Sequence, residues 1–441
     1  MRKAGFVVAF AVFLLSFNIT VEVLPQNAKA DTIYVGGTGP GNYSTIQGAI
    51  DASDIGDTLR IYSGTYFEHI VVGKALTLIG ENRDTTIIDG NGAGPIINVT
   101  TDWVNISGFN ITNGGVSSKT GGIVLYYSQN CHITDNLVSG NGNGIWLTYA
   151  SYNAISGNHV FMNMRDGIEL YPSSNDNTIM ENTIHDNFAG VGVWYSNRNV
   201  IASNDIYSEV DMVNDDLHGV MVGHSNDNTI ANNSISEHME GIALFDSNHN
   251  TIAGNSVSRS HFAIDLSGSS NTMIDNNTVF DNDEGISMGV SNNNTISNNV
   301  IYDNSYGVKI RSSNGNRIYH NEFTDNLDQA YDHNGTNQWD NGYPSGGNYW
   351  SDYSAYDWYS GSNQNELGGD GMGDSPHQIE GGSSSDRYPI LVGPPKTIFN
   401  EIGFWIALVF VLIFVPLAIF FLMRRRKMRK VDVPSEDEFE N

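Results

Sequence analysis

Between residues 122 and 310 the apolar positions recur with a long period rather than a helical or strand period. A Gly-(Ile/Val)-x-aliphatic tetrad, with some variation, begins at Gly122, Gly144, Gly167, Gly190, Gly219, Gly241, Ala263, Gly285 and Gly307. The steps between them are 22, 23, 23, 29, 22, 22, 22 and 22 residues. Nine or ten residues after most tetrads begin comes an Asn-x-Ile segment, as in Asn153-Ala154-Ile155 and Asn228-Thr229-Ile230. A second Asn follows most of these five residues on, at Asn158, Asn182, Asn204, Asn233, Asn255 and Asn299. Each unit thus predicts three short strands separated by polar turns, which pair with their equivalents in the next unit ~4.8 Å away. Aliphatics at one position stack into an internal column, and asparagines at the turns bond to their neighbours above and below. The expected fold is all-β, a right-handed parallel β-helix. Leucine-rich repeats share the period but need a Leu consensus and a helical back, and a propeller needs a period near ~40.

Upstream, Ser44 to Ala52 predicts a short amphipathic helix with a hydroxyl at its start and Gln47 three residues on. It would cover the open end of the stack. Leu59–Tyr62, Leu76–Ile79, Thr86–Asp89 and Ile96–Val99 read as strands of irregular first coils. The periodicity stops after Phe323, and residues 331–392, rich in Trp, Tyr and Gly, read as a separate closing module after a β-helix spanning 31–330.

The two ends carry a different pattern. Arg2 and Lys3 precede an apolar run to Leu15, and Ala28-Lys29-Ala30 offers a cleavage point, so residues 1–30 read as a signal peptide. Beyond a linker at 393–401, Ile402–Met423 is 22 residues without a charge. At ~1.5 Å per residue it spans a hydrocarbon core of ~30 Å. Arg424, Arg425, Arg426, Lys427, Arg429 and Lys430 follow it and place the 424–441 tail, basic and then acidic, in the cytoplasm. The expectation is a single-pass protein of the cell membrane with an extracellular N-terminal ectodomain.

Charge narrows the partners. The chain has 21 basic and 49 acidic residues, a formal net charge of −28, and one cysteine. An acidic chain of this kind has little to replace counterions along phosphates, which argues against nucleic acid. A single cysteine excludes a disulfide framework.

Three segments together resemble the NosD-like right-handed β-helix proteins, which belong to a wider group of carbohydrate-binding and sugar-hydrolysis β-helices. They are Tyr43 to Ala52 with Ser63-Gly64-Thr65-Tyr66, the Gly-Ile-x-Leu and Asn-Thr-Ile coils, and Gly347-Asn348-Tyr349-Trp350-Ser351-Asp352-Tyr353 with Asp386-Arg387-Tyr388-Pro389-Ile390. The resemblance covers residues 32 to 392. It implies surface or periplasmic placement and, from the founding member, a copper-handling role. Soft ligands for copper occur at His159, Met162 and Met164 and at His218, Met221 and His224. Glu366, Asp370 and Asp374 resemble an acidic, Gly-rich stretch that looks like a Ca²⁺ loop.

With the tetrad aliphatics inside, its third residue and the residue after its fourth point outward. On that face Tyr126, Trp146, Tyr171, Trp194 and Phe245 form an aromatic strip suited to sugar rings, or one that simply shields the sheet. The 29-residue step adds residues within Tyr207 to Asp216, just before His218. Glu240 and Asp265 follow on the next coils, so paired carboxyls and a histidine for glycosidic chemistry fall on neighbouring turns. The plain alternative is a solvated acidic edge. Lys309 and Arg311 are the only basic pair on the face. Three functions compete: a glycan-binding or structural envelope protein, a polysaccharide-active enzyme, and a copper-handling factor.

Overall fold

The computed structural model describes residues 30–117, 119–209, 217–333 and 336–391. The leader before Ala30, the apolar run 402–423 and the tail lie outside the described residues, as do residues 210–216. Among the described residues no helix is long and apolar enough to cross a membrane.

The chain winds as a right-handed parallel β-helix. Three parallel sheets of 13, 12 and 13 strands run its length. One coil shows the plan: the tetrad strand Gly121–Tyr126, the Asn-x-Ile strand His132–Thr134, the third strand Leu137–Ser139, and then the next tetrad strand Asn143–Thr148. Strands of one coil do not pair with each other. Each pairs in parallel with its equivalents before and after, so Ile123 sits on Ile145 and Ile133 on Ile155. A 13-strand stack at ~4.8 Å per step is about 58 Å long.

The corners explain the asparagines. Asp135, Glu181, Asn232, Asn276 and Asn298 take positive φ, a left-handed turn that Asn and Asp tolerate better than most residues. The residue after each is a fully buried asparagine. These link into a ladder: Asn255 N donates to Asn277 Oδ1 at 2.9 Å and Asn277 N to Asn299 Oδ1 at 2.8 Å. Each Nδ2 also donates to a strand carbonyl of the preceding coil, as Asn277 to Ile252 O at 2.9 Å. A serine ladder runs at another corner, Ser247 N to Ser269 Oγ and Ser269 N to Ser291 Oγ, both 3.0 Å. Turn backbone that would otherwise be orphaned inside the rod is satisfied this way. Inside, the columns of Ile, Leu and Val are fully buried.

The N-terminal helix is shorter than expected, Ile46–Ala52, and its cap is Thr45 rather than Ser44. Gln47 does not turn back to close a capping box. Instead the Glu68 carboxylate, from a neighbouring coil, accepts the N–H groups of Ile46 and Gln47 at 2.8 and 3.0 Å. Lys74 Nζ donates to the carbonyls of Ile50, Asp51 and Ser53 at the other end. Ile46, Ala49 and Ile50 are thereby held over the open end of the core.

At the far end the coil runs on past the expected boundary. Asp328–His333 adds a strand to the tetrad sheet, and Tyr349–Trp350 pairs with Glu322–Thr324. The aromatic segment therefore completes the last coil while covering it. Trp350 stacks on Phe323 at 4.3 Å and on His377 at 4.4 Å, and Asp386 Oδ2 accepts from its indole at 3.0 Å.

Candidate functional site

The outer face of the tetrad sheet carries three rows of side chains. The tetrad's second and fourth residues are in the core, as with Ile123 and Leu125, and the third residues align outside it. Val124, Trp146, Glu169, Gly192, Met221, Ala243, Asp265, Ser287 and Lys309 are successive register partners. The residues before the tetrads form a parallel row through Ala189, His218, Glu240, Phe262, Glu284 and Tyr306. Strict alternation would turn these inward, but the tetrad glycine occupies the inward position itself. A Cβ on Gly144 would meet Val160 Cγ1 at 2.5 Å inside the coil, and the preceding residue faces out.

The five aromatics expected to form one strip lie in two of these rows. Trp146 shares its row with Glu169, and Trp194 and Phe245 flank Gly223 in the next. The Trp194 ring lies flat over Gly223, where a Cβ would sit 2.1 Å from a ring carbon. Tyr126 and Tyr171 are the more open members, at 46% and 39% exposure, while Trp146, Trp194 and Phe245 are half-buried. A second aromatic file was not anticipated: Tyr127 stacks on Tyr149 at 4.6 Å, and Tyr195 on His224 at 4.9 Å. These residues have positive φ at the corner after the tetrad strand, where sequence composition favours polar residues and gives little hint of aromatics.

Of the acidic and histidine group, His218 Nδ1 lies 3.0 Å from Glu240 Oε2, close enough for an ion pair but off the direction of a hydrogen bond. Glu240, Phe245, Phe262 and Asp265 line one hollow of 330 Å³. Burial, with the nearby Glu240 charge, pushes the Asp265 carboxyl up to about 6. Arg311 also lines this hollow and pairs with Glu284 Oε1 at 3.1 Å, as does Lys309 at 2.5 Å. The basic pair thus belongs to the acidic group. His261 and Asp283 do not join them. They bond to each other at 2.6 Å in a separate groove of 840 Å³ beside Arg259, Asp303 and Leu327.

A second carboxyl pair lies three coils nearer the N-terminus. Asp166, 8% exposed, precedes Gly167, and Glu169 follows in the third-residue row. Burial drives Asp166 up to about 8, helped by the Glu169 charge, and burial drives Glu169 up to about 7. Asn143 Nδ2 donates to Glu169 Oε2 at 2.7 Å. The ordinary value of Asp166 is 3.8, so between about pH 4 and pH 8 the folded chain holds a proton there that the unfolded chain has lost. Its contribution to stability is complete below the unfolded value and is lost as pH rises through the folded one. Asp166→Asn should therefore flatten the fall in melting temperature between pH 5 and pH 8; parallel curves for the two proteins would contradict this.

The residues expected to bind metals do not converge on a common point. His159 Nε2 faces His185 Nε2 at 2.8 Å, His185 Nδ1 bonds to Asp186 at 2.8 Å, and Met162 and Met164 are exposed. Ligands of one metal would stand farther apart than those two nitrogens, each about 2 Å from the ion. His218 faces Glu240, whereas His224 stacks on Tyr195. The copper donors named from the sequence therefore do not fit a copper ion. Asp374 accepts the N–H groups of Trp358 and Tyr359, and Asp370 those of Met372 and the Gln364 amide, while Glu366 lies in a hairpin strand. Among the described residues no three His, Cys, Asp or Glu side chains come together as a metal site.

The fold and its outer face define a parallel β-helix with a carboxylate- and aromatic-bearing sheet. A family model described as periplasmic copper-binding protein (NosD) matches residues 78–216 and 209–355, and the chain belongs to that family. No curated protein matches the chain. Among solved structures it is similar to the A-module of the Azotobacter vinelandii mannuronan C-5 epimerase AlgE6, with 17% identity over 66% of this chain and 93% of the module and a TM-score of 0.57. It is also similar to the Dettilon tailspike protein, with 18% identity over 73% of this chain and 68% of that one and a TM-score of 0.53. At these identities the likeness establishes the fold alone.

Proposed function

We propose that the protein is a membrane-anchored β-helix of the cell surface that binds a glycan along the outer face of its tetrad sheet. The observation that carries this reading is the alignment of Trp146, Tyr171, Trp194 and Phe245 in adjoining rows with Glu169, Glu240 and Asp265. Aromatic faces receive the C–H faces of sugar rings, and carboxyls take their hydroxyls. Linear polymers need such a long, shallow surface more than a deep pocket.

On a glycan array, the full-length protein in a sugar-free detergent should bind a polymer class. Trp146→Ala and Trp194→Ala should each weaken that binding by roughly ten-fold or more, the loss expected of a buried aromatic anchor. Unchanged binding by both variants would overturn the reading.

A polysaccharide-active enzyme centred on His218, Glu240 and Asp265 is the second reading. The hollow that joins Asp265 and Glu240 favours it, because burial raises the Asp265 carboxyl to about 6, which suits it to the role of acid beside a second carboxyl. Turnover of a neutral or uronate polymer that disappears in Glu240→Gln and Asp265→Asn is the expected result. Absence of turnover on every polymer class would remove it.

A further inference from the structure

The hollow beside Glu240 and Asp265 has an open floor and a positive charge at one end. Phe245, Ser267, Gly289 and Arg311 are register partners on four successive coils, in the row that follows the tetrads. The two large side chains therefore start three steps apart, about 14 Å along the rod, with only a serine and a glycine between them. All four line the hollow, and a Cβ on Gly289 would meet nothing within 4 Å. Glu240 and Asp265 belong to the Phe245 end. At the other end Glu284 Oε1 accepts from Lys309 Nζ at 2.5 Å and from Arg311 Nη2 at 3.1 Å. Two cations thus meet one carboxylate, leaving one positive charge over in a chain of net charge −28. Lys309 is taken up by Glu284 and by the Tyr306 ring, 3.6 Å away. The Arg311 side chain is 47% exposed, and its remaining N–H groups have no partner among the described residues. Lys309 alone already neutralises Glu284, so the Arg311 guanidinium is available to a ligand in the hollow.

We propose that this hollow is a subsite for an acidic sugar residue, one bearing a carboxylate or a sulfate ester. Its anionic group pairs with Arg311, and its ring lies over Ser267 and Gly289 against Phe245. The inference rests on the glycan-binding reading and adds the class of sugar. A guanidinium fork receives two oxygens of such a group at once. The ring hydroxyls face Asp265 and Glu240, which lie two and three coils from Arg311, about 10 and 14 Å along the rod. That is beyond the screening length of ~8 Å at physiological salt, so their charge opposes the pairing only weakly. A neutral sugar would leave the guanidinium facing water, and an amino sugar would bring another cation beside it.

The test titrates the full-length protein, in a sugar-free detergent, with neutral, uronate and sulfated oligosaccharides of one linkage and follows binding calorimetrically. At low salt at least one acidic ligand should bind roughly ten-fold tighter than the neutral one, the value of a charge-assisted pair, and added salt should shrink that advantage. Which acidic ligand leads tells carboxylate from sulfate ester. Arg311→Gln should bring the ratio of acidic to neutral affinity close to one, while Lys309 still holds Glu284. Gly289→Leu meets open space at its Cβ, so it fills the hollow without strain and should weaken acidic-ligand binding more than ten-fold. Thermal melting of both variants separates these effects from misfolding, and Gly289→Leu carries the test if Arg311→Gln does not fold. Neutral ligands binding as tightly as acidic ones would overturn the subsite, and so would an acidic preference that survives Arg311→Gln or Gly289→Leu. Glycan binding itself would stand in those cases. No binding of any glycan would overturn both.

Discussion

Asn277→Ala should lower the unfolding free energy by roughly 4 kcal/mol, more than any surface substitution on the rod. The side chain is almost wholly buried and makes five hydrogen bonds. Its Nδ2 donates to Ile252 O, Asp275 O and Asn299 Oδ1, and its Oδ1 accepts from Asn255 N and Nδ2. Alanine leaves two carbonyls and one backbone N–H without these partners in a site that water does not reach. Chemical denaturation of Asn277→Ala beside Asn276→Gly makes the comparison, because Asn276 supplies only the positive φ of the corner, which glycine accepts. A loss below about 1 kcal/mol for Asn277→Ala would mean that the ladder contributes little beyond turn shape.

Trp350→Ala should cost about 3–5 kcal/mol and expose the C-terminal end of the core. The ring is 1% exposed, sandwiched between Phe323 and His377, and bonded to Asp386. Asp386 also accepts the N–H of Asn348, the last rung of the ladder, at 2.7 Å. Losing Trp350 therefore loosens both the aromatic lid and the polar corner beneath it. Faster proteolysis beginning in the last coils, with the N-terminal coils still protected, is the expected pattern for a solenoid whose contacts are between neighbours. Uniform proteolysis along the chain would contradict it.

Much of this was legible in the residues. Gly-Ile-x-Leu at 22-residue steps sets both the coil and its register, so the third-residue row through Trp146, Glu169 and Asp265 follows from counting. The asparagine ladder follows because the Asn amide donates through Nδ2 and accepts through Oδ1, so one buried side chain serves both neighbouring coils. Asp166 was harder to see. Its row faces outward only because the tetrad glycine takes up the inward position, and an acidic residue before glycine is ordinary turn composition. The Tyr127 and Tyr195 file sits at left-handed corners, where propensity argues for Asn or Gly. The end of the β-helix was placed too early because the last coil is built from Asp328–His333 and the distant Tyr349–Trp350, with no shared period to join them. The long step before His218 is mostly outside the described residues, and so are both expected membrane signals.

The claim that a glycan lies on the tetrad sheet is tested most directly by a crystal structure of the protein grown with an oligosaccharide that it binds. A pyranose ring stacked on an aromatic of the tetrad sheet, Tyr171, Trp194 or Phe245, with oxygens within hydrogen-bond reach of Glu169, Glu240 or Asp265, is the predicted result. Sugar density confined to the groove beside His261 and Asp283, or to either of the other two sheets, would contradict it.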